Sequence, residues 1–216
     1  MYLLYDGLQD GGVFVRAAFE EAGIPYQQSY IDLRKNEHLS AEFTRINPRQ
    51  QVPVLRLDDG TILTETVAIM MHIADCHPQA ELLPPLATIE RSQAVRWLLF
   101  LATNVYEGES RMVHPERYAT DPACAPSVRH AAVDYVNRHY LIFEDVLSEG
   151  PYLFGDRISL VDLYLWMLLQ WHGHMDWLNA NCPKILRLVR AVMARPRIEP
   201  IHLEIFGPGI GLSSTS

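Results

Sequence analysis

Two short stretches carry residue types that could hold an amino acid by both its ends: Gln51-Val52-Pro53-Val54-Leu55 and Glu65-Thr66. Pro53 interrupts a run that otherwise reads as a strand. Proline cannot donate to a sheet ladder, so an edge position or a cis Val52-Pro53 peptide is expected. In that geometry the Val52 N–H and C=O face outward and can pair in antiparallel fashion with the backbone of a small peptide. Glu65 and Thr66 fall where a helix begins. There the carboxylate can receive an ammonium, while the hydroxyl and backbone N–H groups receive a carboxylate. Arg34, Lys35, His38 and Arg49 lie near these stretches in sequence and give local positive potential.

The elements that must position this site are legible from turn chemistry and periodicity. Residues 2–5 read as a strand, and Val13, Phe14, Ala17, Ala18 and Ala22 follow at helical spacing, closed by Gly23 and Pro25. Residues 26–31 form a second strand. Two further strands flank Asp59-Gly60, a hairpin signal, and Val67, Met70, Met71 and Ala74 mark the inward stripe of the next helix. This order, βαβ then ββα, is that of a thioredoxin-like domain over residues 1–77. Residues 78–88 are proline-rich and aperiodic, and read as a linker.

From 89 to 206 the pattern is helical. Trp97, Leu98, Leu101 and Val105 form one stripe and Val133, Val136, Tyr140, Phe143 and Leu147 another, as in a helical bundle. The prolines between residues 109 and 126 imply a break. Ser159 and Asp162 fit a capping box that opens a helix. Residues 207–216, rich in Gly and Ser, read as a flexible tail. The expected fold class is therefore an α/β thioredoxin-like N-terminal domain plus an all-α helical-bundle C-terminal domain.

Composition bounds the rest. The chain has 216 residues, 49% of them hydrophobic and 20% charged, which suits packed soluble domains. A formal net charge of −8 disfavours nucleic acid as a partner. The start of the chain lacks the pattern of a signal peptide, and the most apolar stretch, residues 163–169, is too short to span a bilayer. Cys76, Cys124 and Cys182 are scattered and without a CxxC pair, which points to a reducing cytoplasm and away from disulfides or zinc. His172-Gly173-His174 has no acidic or cysteine residue at ligand spacing, so the histidines read as surface or core and no metal is expected.

The run NPRQQVPVLRLDDGTILTETVAIMMHIAD resembles the glutathione-binding half of cytosolic glutathione transferases. VRAAFEEAGIPYQ, EHLSAEFTRINPRQQVPVL and PYLFGDRISLVDLYLW extend the likeness over nearly the whole chain, nearest to the beta, theta and phi-like bacterial members. The resemblance implies glutathione as co-substrate, held by Lys35, His38, Gln51, Val52, Pro53, Glu65 and Thr66, with Asn104 reaching a partner subunit's glutathione. It also implies an electrophilic small molecule bound near Tyr106, Met112 and Trp166. A homodimer is implied as well, the thioredoxin-like domain of one subunit lying against the helical domain of the other.

The family's reaction needs the glutathione thiolate. Lowering a thiol pKa from about 8.5 to about 6.5 takes roughly 2.7 kcal/mol of preferential anion stabilisation. Bacterial members commonly place a Ser or Cys at the start of the first helix. Here Leu8-Gln9-Asp10-Gly11-Gly12-Val13 contains neither. Three sources remain open: the amides of Gly11 and Gly12, the side chain of Gln9, and the phenol of Tyr5, where tyrosine-type members keep theirs. A hydrogen bond to a charged group contributes about 1.5–3 kcal/mol, and a helix terminus about 0.3–1. Asp10 reads as the helix N-cap. The Ser-Ser/Cys signature of the isomerase-type members is absent. The missing Ser/Cys also keeps open a non-catalytic glutathione-binding or interaction protein on the same fold.

Overall fold

The computed structural model describes residues 1–210 and divides into two compact units, one of residues 1–85 with 194–208, the other centred on residues 86–193.

The first unit is built on a four-stranded sheet in the order β2-β1-β3-β4. Strand β1 (Tyr2–Asp6) pairs in parallel with β2 (Tyr26–Tyr30) and antiparallel with β3 (Val54–Arg56), which turns through Asp59-Gly60 into β4 (Ile62–Leu63). Gly60 takes a φ of 87°, and the Thr61 amide donates to the Asp59 side chain, which is why that dipeptide makes the turn. Helix α1 (Gly12–Ala22) ends at Gly23, whose φ of 66° lets its N–H reach the Glu20 and Phe19 carbonyls. Alternation along β1 assigns its faces. Tyr5 packs with Phe43 of the short helix α2 (Ala41–Ile46), whereas Asp6 faces α1 at Gly12. Helix α3 (Thr66–Cys76) packs on α1, burying Val67, Ile69, Met70, Ile73 and Ala74, while Met71 of the expected stripe stays half-buried.

The second unit holds α4 (Ile89–Phe100), a π-turn over Leu101–Tyr106, α5 (Glu107–Val113), α6 (Ala125–Val146), α7 (Leu160–Trp171), α8 (Met175–Asn181) and α9 (Pro183–Met193). Helix α7 is apolar all round and buried along nearly its whole length, so it is the axis of the bundle. Its start is fixed by the capping box. Asp162 accepts from the Ser159 amide and hydroxyl, both at 2.7 Å, and from the Leu153 amide at 2.8 Å. Burial pushes the Asp162 carboxyl up to about 6, against the pull of those donors. The break expected between residues 109 and 126 begins only at His114, after α5 has run on to Val113.

The units differ from the expected domain boundaries. Residues 194–208, which include helix α10 (Glu199–Phe206), belong to the first unit rather than to the helical one. Arg16 pairs with Glu204, Arg195 with Glu21, and Arg197 donates to the Glu20 carbonyl. The expected linker is also part of the first unit as far as Pro85, with Leu82 and Leu83 buried. Of the tail, residues 211–216 lie outside the described residues.

Candidate functional site

The Val52-Pro53 peptide is cis. Val52 precedes the β1–β3 ladder, which begins at Val54, and its own N–H and C=O take no partner among the described residues. Asn47, buried at the end of α2, holds the approach to this loop: its side-chain nitrogen donates to the Gln51 carbonyl at 2.8 Å and its oxygen accepts from the Arg49 amide. Gln51 itself is exposed.

Twelve residues on, Glu65 stands at φ 63°, ψ 107°, immediately before α3. For a non-glycine residue such a conformation costs about 1–3 kcal/mol, and such outliers collect at ligand-binding positions. The Glu65 side chain does not cap α3, and among the described residues the first-turn amides of Thr66, Val67 and Ala68 remain open at the positive end of the helix. The Glu65 carboxylate pairs with Arg49, and both side chains are about three-fifths exposed. An exposed pair of this kind contributes about 0–1 kcal/mol, so an incoming ammonium can displace it.

Lys35 and His38 sit on the two turns between β2 and α2. Lys35 is exposed and bridges to Asp32 at 3.2 Å, which raises its ammonium above the ordinary lysine value. His38 keeps a buried Nδ1 without a partner.

The start of α1 differs from the donor set read in the sequence. The Asp10 carboxylate accepts from Gly7 at 2.7 Å and from Gly12 at 2.6 Å, so the Gly12 amide is already taken. Burial raises the Asp10 carboxyl, while these two amides lower it. Asp10 thus holds the turn, although the residue flanking the helix is Gly11. Gln9, at φ 62°, donates its side-chain amide to the Ile205 carbonyl at 3.0 Å. Tyr5 is different: it is 8% exposed, its ring packs in the small cluster of Phe43, Val54 and Val52, and its hydroxyl makes no hydrogen bond among the described residues.

Asn104 lies in the π-turn of the helical unit with both ends of its amide engaged. It donates to the Phe100 carbonyl and accepts from the Tyr135 hydroxyl at 2.7 Å. Within its own unit the Asn104 amide thus ties the π-turn to α6. Trp166 and Met112 lie deeper in the same unit. They are 0% and 6% exposed and belong to the core, because α7 and α5 turn those faces inward. Tyr106 is half-buried and stacks edge-on against Trp171.

Sequence reading missed a buried polar cluster in the helical unit. Glu109 accepts from Tyr140 at 3.2 Å and bonds His172 Nδ1 at 2.8 Å, all three side chains being buried. Burial and the Glu109 charge push the Tyr140 phenol well up. His172 is thus a core histidine, one of the two placements read for it, and its acidic partner lies 63 residues away, beyond any local motif. Among the described residues no group of three or more His, Cys, Asp or Glu is placed to hold a metal.

Comparison with known proteins agrees with this fold. The family profile "Glutathione S-transferase, N-terminal domain" matches residues 15–76 and "Glutathione S-transferase, C-terminal domain" matches residues 125–200. The chain is 34% identical over 183 residues to glutathione S-transferase GstA of Escherichia coli O157:H7, covering 83% of this chain and 86% of that protein. It is 33% identical over 184 residues to an uncharacterised GST-like protein, YncG, of E. coli K12, with the same coverage. Among solved structures, a glutathione transferase homologue from Sulfitobacter with bound glutathione superposes with a TM-score of 0.82 at 28% identity, over 94% of this chain and 98% of that one. The thioredoxin-like sheet, the helical bundle and both matched halves lead to one conclusion: the chain belongs to the glutathione S-transferase family.

Proposed function

We propose that the protein binds glutathione and conjugates its thiolate to an electrophilic small molecule. One observation carries the reading: a strand-edge residue with both backbone groups unpartnered, Val52, precedes an uncapped helix start at which Glu65 holds a left-handed conformation. The cysteinyl backbone of glutathione pairs with Val52. Its γ-glutamyl ammonium meets Glu65, displacing Arg49, and its carboxylate meets Thr66 and the first-turn amides of α3. Pro53 and Gln51 shape the loop, and Lys35 and His38 lie toward the glycyl end. A part in detoxification in the cytoplasm belongs to the same proposal.

The thiol is served by Tyr5. Its phenol is uncommitted and its ring packs against Val52, whereas Gln9 and Gly12 are engaged by Ile205 and Asp10. Those engagements favour the second reading, a glutathione-binding member without conjugating activity, if Tyr5 serves only the core.

Titration calorimetry with glutathione tests the binding step. Glu65→Ala should weaken affinity by about 10- to 100-fold, the equivalent of a charge-assisted hydrogen bond of about 1.5–3 kcal/mol. Unchanged affinity sinks the cradle. A conjugation assay with a generic electrophile separates the two readings: turnover near background, with binding intact, selects the non-catalytic one.

A further inference from the structure

Strand β2 is an outer strand of the sheet, and one of its long sides is open. It pairs with β1 in parallel, from Tyr26 opposite Tyr2 to Tyr30 opposite Asp6, and the Ile31 amide donates to the Asp6 carbonyl at 2.8 Å. Backbone groups of successive strand residues point to alternate sides, so those of Gln27, Ser29 and Ile31 face β1 while those of Gln28 and Tyr30 face away. Among the described residues neither Gln28 nor Tyr30 has a backbone partner on that side. The strand, YQQSY, carries no lysine, proline or bulge to blunt its edge.

A pocket of about 240 Å³ opens beside this edge, lined by Gly7, Leu8, Arg16, Gln28, Tyr30 and Glu204. It lies on the α1 face of the sheet, where the Gln28 side chain donates to Asp6 and Tyr26 stacks on Phe19. Leu8 and Tyr30 give it exposed apolar walls, and Arg16 Nη2 holds Glu204 at 3.0 Å. The Glu204 side chain is 58% exposed and that of Arg16 only 12%, so an incoming group meets the carboxylate and not the guanidinium. Glu20, which accepts from the Tyr26 hydroxyl at 3.2 Å, adds a second exposed carboxylate on this face. The pocket therefore suits a cation with an apolar stem, and no residue of it belongs to the Val52–Glu65 cradle.

We propose that this edge and pocket bind an extended peptide segment of a partner protein through an arginine side chain. The segment adds a strand to β2, its backbone exchanging hydrogen bonds with Gln28 and Tyr30, while the pocket beside the edge selects one side chain. That side chain lies on the α1 face. Its guanidinium forks onto the open side of the Glu204 carboxylate and stacks on the Tyr30 ring, and its methylenes lie along Leu8. Arginine fits better than lysine, because a planar group can fork and stack at once.

Fluorescence anisotropy of the full chain with a labelled, end-blocked peptide, Thr-Val-Arg-Val-Thr, tests the proposal, its β-branched residues favouring the extended form. Counterparts with alanine or glutamate in place of arginine should bind roughly tenfold more weakly, as for the loss of a hydrogen bond to a charged group. The arginine peptide N-methylated at every backbone nitrogen keeps its guanidinium but cannot donate to the edge, and should also bind more weakly. Glu204→Gln should weaken binding about tenfold. Glu149→Gln, at an exposed acid of the helical unit, should leave it unchanged, which separates the pocket from general attraction to an acidic chain. Gln28→Pro and Gln28→Ala lose the same side chain, but only proline also loses the amide that faces away from β1, so Gln28→Pro should bind less than Gln28→Ala. Equal binding of the arginine and alanine peptides, of the parent and N-methylated peptides, or by wild type and a Glu204→Gln variant with the wild-type circular dichroism spectrum, overturns the proposal. So does a light-scattering mass that falls in Gln28→Pro and not in Gln28→Ala, because the edge would then already hold a second copy. Should Gln28→Pro fail to fold, the N-methylated peptide decides the backbone pairing.

Discussion

Two side chains on β1 point to opposite faces of the sheet and carry opposite consequences. Tyr5 faces α2, with a hydroxyl free of partners among the described residues. If it donates to the glutathione sulfur, Tyr5→Phe keeps the ring packing but should raise the bound-thiol pKa by roughly one to two units. Thiolate absorbance of bound glutathione followed against pH reads this directly. Gln9→Ala should leave that titration unchanged, because its amide serves the Ile205 carbonyl. Asp6 faces α1, fully buried, with Oδ1 accepting from Gln28 at 2.8 Å and Oδ2 unpartnered. Burial pushes its carboxyl up to about 7, despite Gln28 and Arg16, which lower it, while Asp10 and Glu204 add to the rise. A carboxyl raised in the folded state binds a proton there that the unfolded chain has already released. Stability should thus fall as pH rises from about 4 to about 7, by at most about 1.4 kcal/mol per unit, and level off above. Asp6→Asn retains the Gln28 acceptor and removes the buried charge. Denaturant unfolding should show it more stable than wild type at pH 8 and close to wild type at pH 5; no difference between the two pH values would refute the assignment.

At the scale of elements, close approach and capping decide what a position tolerates. Gly108 lies where α5 crosses α6, and a Cβ there would overlap the buried Val136 side chain and crowd Tyr135. Alanine improves helix propensity by about 1 kcal/mol, yet overpacking against a rigid β-branched neighbour costs about 1–3 kcal/mol. Gly108→Ala should therefore come out neutral to destabilising by up to about 2 kcal/mol in urea unfolding, and a gain in stability would show that α6 can move away. Ser159→Ala removes one donor to Asp162 at the head of α7 and should cost about 1 kcal/mol. These elements were largely legible beforehand. Gly23, Asp59-Gly60 and the Ser159/Asp162 box act within a few residues of themselves, so their geometry follows from local chemistry. Helix α2 was not read, although Ser40 caps it through the Phe43 amide, because six residues give too little periodicity to register.

For the molecule as a whole, two-fold pairing remains the proposal that follows from the family likeness. Leu86, Ile89 and Leu99 are at least half exposed in the helical unit, and apolar side chains in this number commonly find cover in an assembly. Light scattering should give about twice the 24.7 kDa chain mass at micromolar concentration; a monomer mass would contradict it. Domain limits are also a property of the whole. Residues 194–208 read as more helix of the bundle, because periodicity reports that a helix has an apolar face and not what covers it. Their salt bridges and carbonyl contacts to α1 place them with the sheet.

The sequence by itself determined most of the elements and the family, since strand breaks, helix caps and hairpin turns are set by neighbours in the chain. Tertiary structure decided which of those groups are free to act. Gln9 meets Ile205 across 196 positions, Asn104 meets Tyr135 across 31, and His172 meets Glu109 across 63. Hydrogen-bond capacity is a property of the residue, but its commitment depends on what the fold brings within about 3 Å. Tyr5 is left uncommitted beside Val52 for that reason, and Trp166 is buried as core.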